Sequence, residues 1–242
     1  MFVFIAITQY ILSIFAPAAT TVMSDTVVVK KTEDFTITGD GKNIAWQKAD
    51  WQQLNKLQTE AKEYKSSSKI LYSTKGLYVL FTGEDQRITT KNYKDDDDIY
   101  EGDVFELFLR TDISKPHYFE YEINPLGKQL ILILAGLPHN NLAWSPWRHE
   151  YEQHPLIQRK VTTDSNAPLQ PGNTIRTWTV ELFFPYEIFG FLPAIPPKNG
   201  DVWSGNFCRI DYDSGKITEW SWSKNIKRSF HEVENFGYIR FE

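Results

Sequence analysis

The sequence is short of the side chains that carry redox and metal chemistry. It has one cysteine, Cys208, and two methionines, Met1 and Met23. A single thiol rules out an internal disulfide and a cysteine cluster for zinc or iron–sulfur. A haem or redox module needs an axial Met or His pair. Thioether is scarce, and His117, His139, His149, His154 and His231 show no pairing along the chain. Positive charge is also in deficit, 26 Lys and Arg against 31 Asp and Glu, a net charge of −5. Nucleic-acid binders present the opposite field, so no nucleic-acid partner is expected. No P-loop, GxSxG elbow or HExxH helix occurs. Helical periodicity is weak throughout. One short helix is expected within residues 50–64, where Trp51, Leu54, Leu57 and Ala61 fall at helical spacing.

Aromatic residues are abundant: 8 Trp, 12 Tyr and 16 Phe, 15% of the chain. Most belong in a core, but that many imply some at the surface, where exposed rings mark contact with a ligand or partner. The chain after Asp25 reads as strands. Lys69 to Asp85 is strand, turn, strand, and Val104 to Leu109 is a compact apolar strand. Tyr118 to Asn124 alternates, with Phe119, Tyr121 and Ile123 on one face and Tyr118, Glu120, Glu122 and Asn124 on the other. Further strands are expected at Gln129 to Leu134, Trp178 to Phe184, Trp203 to Ile210, Glu219 to Ser223 and Tyr238 to Phe241. Short strands separated by Pro and Gly turns predict an all-β antiparallel β-sandwich, one domain over residues 25–242 with at most short helices.

Residues 1–22 stand apart. Phe2 to Ala19 is largely apolar and Ala16-Pro17-Ala18 has the small-x-small form of a cleavage site, so the segment resembles a secretory signal. That reading places the protein in the periplasm or outside the cell. The alternative is an N-terminal extension with Met23 as the true start, which leaves the protein cytoplasmic. No other stretch is long and apolar enough to span a membrane. Asp95 to Asp98 is a run of four acids. Such a run is a solvated loop or a source of oxygen ligands for a structural calcium ion, with Asp97 and Asp98 the candidates.

Four segments then fall in order: DIYEGDVFELF (98–108), YFEYEINPLG (118–127), WTVELFFPYEIFG with GDVWSGNFCRID (178–190 and 200–211), and WSWS with SFHEVENFGYIRF (220–223 and 229–241). KILYSTKGLYVLF upstream, Asp85, Trp46 and Trp51 fit the same series. The series resembles the family 9 carbohydrate-binding modules over about residues 34–242. The resemblance implies an antiparallel sandwich that holds the end of a sugar chain between two aromatic rings, with calcium in structural roles. It implies an oligosaccharide or polysaccharide end as ligand, and a separately encoded glycosidase as a companion. The two ring positions are Tyr100 and Phe230 here, where the well-known members carry Trp. Glu106 carries over from the first segment.

A pyranose has apolar C–H faces and a rim of hydroxyls. Flat rings suit the faces, and carboxylates or guanidinium suit the rim, because charge-assisted hydrogen bonds are the stronger ones. Glu106, Glu122, Glu181 and Arg209 line one face if their strands share a sheet, and His231 sits beside the clamp. The role expected is binding without catalysis. Two alternatives stay open: a glycosidase using paired carboxylates such as Glu106 with Glu122, and Glu106 as a structural acid paired with Arg209.

Overall fold

The computed structural model describes residues 25–58, 63–135, 142–144, 157–164, 169–189, 192–224, 226 and 229–242. The expectations for residues 1–22 and Met23 lie outside the described residues. Those described form thirteen strands: β1 Thr26–Lys31, β2 Gln52–Lys56, β3 Ser66–Tyr72, β4 Gly76–Glu84, β5 Val104–Arg110, β6 Tyr118–Ile123, β7 Gln129–Ala135, β8 Leu142–Trp144, β9 Gln158–Thr163, β10 Thr177–Pro185, β11 Val202–Asp211, β12 Thr218–Ser221 and β13 Gly237–Phe241. Helical structure among them is confined to single 3-10 turns such as Ile99–Glu101 and Tyr186–Phe189. The all-β sandwich is the observed fold.

One layer runs β8-β7-β6-β5-β11 and the other β3-β4-β10-β9. Two seams join them along the edge beyond β11. At one, β12 pairs with β11 and β2, and β2 with β3; at the other, β13 pairs with β11 and β1, and β1 with β3. The β1 pairings are parallel, the exception to an otherwise antiparallel ladder. Between the layers Phe81 of β4 stacks on Phe105 of β5 at 4.9 Å, Trp178 of β10 sits 4.2 Å from Phe105, and Phe119 of β6 meets Phe184 of β10. All five are fully buried, and each such ring contributes about 1.5–3 kcal/mol through burial.

Over its described part, with Ala61 lying outside the described residues, the helix expected within residues 50–64 gives way to β2. Its backbone is used on both edges: Gln52, Gln53 and Leu54 pair with Ser68, Ser67 and Ser66, and Asn55 and Lys56 with Ser221 and Trp220. Two ladders satisfy more backbone than one helical turn would, and the period-2 pleat still buries Leu54. Trp220 and Trp222 are core, as their strand predicts, while Trp51 reaches the surface with Lys69 Nζ 4.7 Å above its ring.

Candidate functional site

Register decides which side chains meet. Glu106 of β5 lies opposite Glu122 of β6 and opposite Cys208 of β11, so these three share the outer face of their layer. Alternation adds Glu120 to that face, while Phe105, Leu107, Tyr121 and Ile123 turn inward to the core. The outer face forms the floor of a cleft of about 360 Å³. Glu106, Glu120, Glu122, Leu132, Leu134 and Ile210 lie in that floor, and Tyr100, Glu219, Ser229, Phe230 and His231 also line the cleft. Tyr100 is on the Ile99–Glu101 turn that leads into β5.

The carboxyls of this floor are buried to an unusual degree. Glu106, Glu120 and Glu122 are 3%, 4% and 2% exposed, and glutamate is almost never so buried without a partner. Glu120 Oε2 and Glu122 Oε2 receive no hydrogen bond from any other group, and the two carboxyls bond each other through a proton held on one of them. Burial raises the Glu120 pKa to about 7. It pushes Glu106 and Glu122 well above the usual carboxylate range, with the neighbouring glutamates adding to the rise. His231 Nδ1 shares a hydrogen bond with the Tyr118 hydroxyl at 2.9 Å and lies 3.9 Å from Glu120 Oε2. Burial holds the imidazole below its ordinary pKa, so at neutral pH it is uncharged and that approach is not an ion pair.

The two rings differ in openness. Tyr100 is 41% exposed. Phe230 is 5% exposed and packs edge-on against Phe108, in a cluster with Phe236, Tyr118 and Leu134. Both line the cleft, but Phe230 is an inner wall as much as a free platform.

Arg209 is a correction to the sequence expectation. It lies opposite Phe105, not Glu106, and so points to the core face, away from the cleft. There Nη1 donates to Ser66 Oγ at 2.9 Å, and Nη2 donates to Asp85 Oδ2 at 3.0 Å and Asp211 Oδ2 at 2.7 Å. The rings of Trp220 and Tyr64 lie 5.1 and 5.3 Å from its guanidinium carbon. A Cβ on Gly83 would come within 2.6 Å of Nη1, so glycine there makes room for the charge. The pairing of Glu106 with Arg209 is excluded by the same register. Glu181 also leaves the set. It belongs to β10 in the other layer, where it accepts from Trp46 Nε1 at 2.6 Å and from the Gly39 amide at 2.5 Å.

The acidic run does not gather into a metal cage. Asp97 accepts from the Lys94 amide, Asp98 precedes the Tyr100 turn, and Asp95 pairs with Arg159. Among the described residues the carboxylates close enough to share an ion are Asp85, Asp103 and Asp211, whose oxygens lie within 4.8 Å of one another. Two of them already bond the Arg209 guanidinium, and Asp103 accepts from the Thr89 and Tyr212 amides. A fixed cation is built into that group, so it does not suit calcium. Burial, with Asp85 and Asp211 adding to it, raises Asp103 to about 8.

A sequence profile described as Carbohydrate-binding family 9 matches residues 40–241. The chain belongs to carbohydrate-binding family 9. Solved structures agree on the fold. A candidate carbohydrate-binding protein from Bacteroides uniformis ATCC 8492 superposes with a TM-score of 0.71 at 17% identity, covering 90% of this chain and 100% of its own. A family 9 module from Caldicellulosiruptor kristjanssonii, solved with glucose and with cellotriose, gives 0.62 at 16% identity in each complex, covering 90% of this chain and 96% and 94% of those. No curated protein sequence matches. In this family 9 chain the acids that sequence reasoning missed are Glu120 and Glu219. The signal for Glu120 was the alternation that already placed it beside Glu122.

A pH signature follows from burial. Asp103 and Glu120 bind their protons more tightly folded than unfolded, where Asp and Glu titrate near about 3.9 and 4.3. The stability held by the protonated forms is full below those values and is lost as pH rises through about 7 to 8. The urea midpoint is expected to be higher at pH 5 than at pH 8. A midpoint that climbs over that range would contradict the assignment.

Proposed function

We propose that the chain is a non-catalytic module that holds a saccharide in this cleft, in support of polysaccharide breakdown by a separate enzyme. The observation that carries the reading is a pair of buried oxygens, Glu120 Oε2 and Glu122 Oε2, that take no hydrogen bond from any group beyond each other's carboxyl, in a cleft that Tyr100 and Phe230 also line. Desolvated acceptors are unfavourable unless something donates to them. Sugar hydroxyls are donors, and an aromatic side wall suits the C–H face of the same ring. The site lies on paired strands, so little order has to be gained on binding. Glucose and cellotriose, the ligands of the Caldicellulosiruptor module, are the first neutral sugars to test.

Tyr100 is the open platform and Phe230 closes the cleft from within. Tyr100→Ala is expected to weaken saccharide binding about five- to tenfold, from lost ring contact worth about 1 kcal/mol, with stability nearly unchanged because the ring is half exposed. Titration calorimetry against a glycan panel, paired with urea unfolding, measures both. Phe230→Ala is the poorer probe, since emptying a buried Phe site costs about 3–5 kcal/mol of stability. The panel is also incubated with the protein and assayed for released reducing sugar. Unaltered affinity in Tyr100→Ala argues against the platform, and released product argues against a binding-only role.

A further inference from the structure

The cleft has four acids and, among the described residues, no cation. Glu106, Glu120 and Glu122 are buried in its floor, Glu219 is half-buried beside them, and no Lys or Arg among the described residues lines it. Arg209, on the strand beside Glu106, points through the sheet to the other side, where Asp85 and Asp211 engage it. His231 faces Glu120 but is neutral at pH 7. Tyr100 and Ser229 complete the polar lining and bring no positive charge. Like charges directly opposite on adjacent strands are destabilising, and Glu106 and Glu122, which occupy such a pair, stay protonated in the free protein. Neutral hydroxyls leave them so, whereas a cation beside them favours the ionised form.

A bare divalent ion fits poorly. Calcium draws six to eight oxygens to about 2.3–2.6 Å. Here the acids that converge to metal-binding distance, among the described residues, are the aspartates around Arg209 rather than these glutamates. The floor glutamates are not among them. An ammonium group presents three donors that point apart and is satisfied by two or three oxygens, fewer than calcium needs. It also arrives on the rim of a sugar whose other hydroxyls reach the remaining lone pairs.

Resting on the saccharide reading above, we propose that the cleft selects a cationic sugar: an amino sugar with a free amine, over neutral, N-acetylated or anionic sugars. N-acetylation removes the charge and adds bulk against Leu132 and Leu134, while a uronic acid adds a fifth carboxylate to the four. The amine would take the place of the proton that Glu122 and Glu120 share and bond the buried oxygens of both.

The experiment is titration calorimetry of the full chain at pH 6 with glucosamine, glucose, N-acetylglucosamine and glucuronic acid, and with the β-1,4-linked dimers of the first three. The amine-bearing ligands are expected to bind at least about tenfold tighter than their neutral and acetylated counterparts, as a charged hydrogen bond replaces a neutral one. The uronic acid is expected to bind weakest. Glu122→Gln and Glu120→Gln, each checked for folding by circular dichroism, are expected to shrink that preference to about two- to threefold. The comparison among ligands stands on the wild type alone if a variant does not fold. Neutral sugars bound as tightly as the amines would overturn this inference and leave the module reading standing. Neutral sugars bound only after calcium is added would overturn it in favour of a bridging ion. No binding of any sugar would overturn both readings.

Discussion

Replacing Arg209 with methionine is expected to lower the unfolding free energy by about 3–5 kcal/mol at pH 7, the usual result of removing one partner from a buried ion pair. Arg209 is fully buried and holds two carboxylates that are themselves fully buried. Methionine keeps most of the side-chain volume, so the loss is one of charge rather than packing. Without the guanidinium, Asp85, Asp211 and nearby Asp103 face one another with no counterion. Burial already raises Asp85 to about 7 despite Arg209, and losing the cation pushes it further up. The penalty should therefore shrink at pH 5, where those carboxyls take protons instead. Adding Asp85→Asn and Asp211→Asn to Arg209→Met should recover part of the loss. Urea unfolding at both pH values provides the check. A stability change under about 1 kcal/mol, the size of an exposed pair, together with abolished saccharide binding would place Arg209 in the cleft and undo the assignment.

The fate of Arg209 shows where sequence reasoning ended. Within a strand, parity is legible. Tyr118, Glu120 and Glu122 alternate with Phe119, Tyr121 and Ile123, and the second set is the core set. The same rule separates Asn206 from Arg209, three residues apart on β11. Which of those faces meets Glu106 is set by a pairing about a hundred residues distant, Cys208 against Glu106. Nothing local encodes that register, and a slip of one residue would have exchanged the faces. Glu181 was misplaced for a related reason: its strand alternates correctly but belongs to the other layer. β2 was hidden by a coincidence of spacing, because Trp51, Leu54 and Leu57 fit a helix until partners for both edges of the strand appear. Tyr100, Glu106, Glu122, Phe230 and His231 do converge on one cleft, because the resemblance carried the long-range information that parity lacks. It did not carry burial, and so did not show that Phe230 is mostly covered or that Glu120 completes the floor.

Glu106→Gln is expected to weaken saccharide binding about ten- to a hundredfold, the loss of one charge-assisted hydrogen bond of about 1.5–3 kcal/mol, while the fold becomes as stable or more stable. The two effects have one cause. Glu106 sits 3% exposed, directly opposite Glu122 and close to Glu120 and Glu219. In the unliganded protein that crowding opposes ionisation, which is why its pKa is pushed well above the ordinary range. A folded pKa above the unfolded one means stability lost as pH rises toward the folded value. Glutamine removes the ionisation and brings two N–H donors toward its neighbours, so the gain should be greatest at pH 8 and small at pH 5. Urea midpoints at the two pH values and calorimetry with the tightest-binding sugar of the panel test both halves. Were the variant to lose stability at pH 8 and keep its affinity, Glu106 would be a structural acid and the floor would need another anchor. If binding falls as stability rises, the crowding of acids on this sheet is retained for the ligand, since nothing in the free protein profits from it.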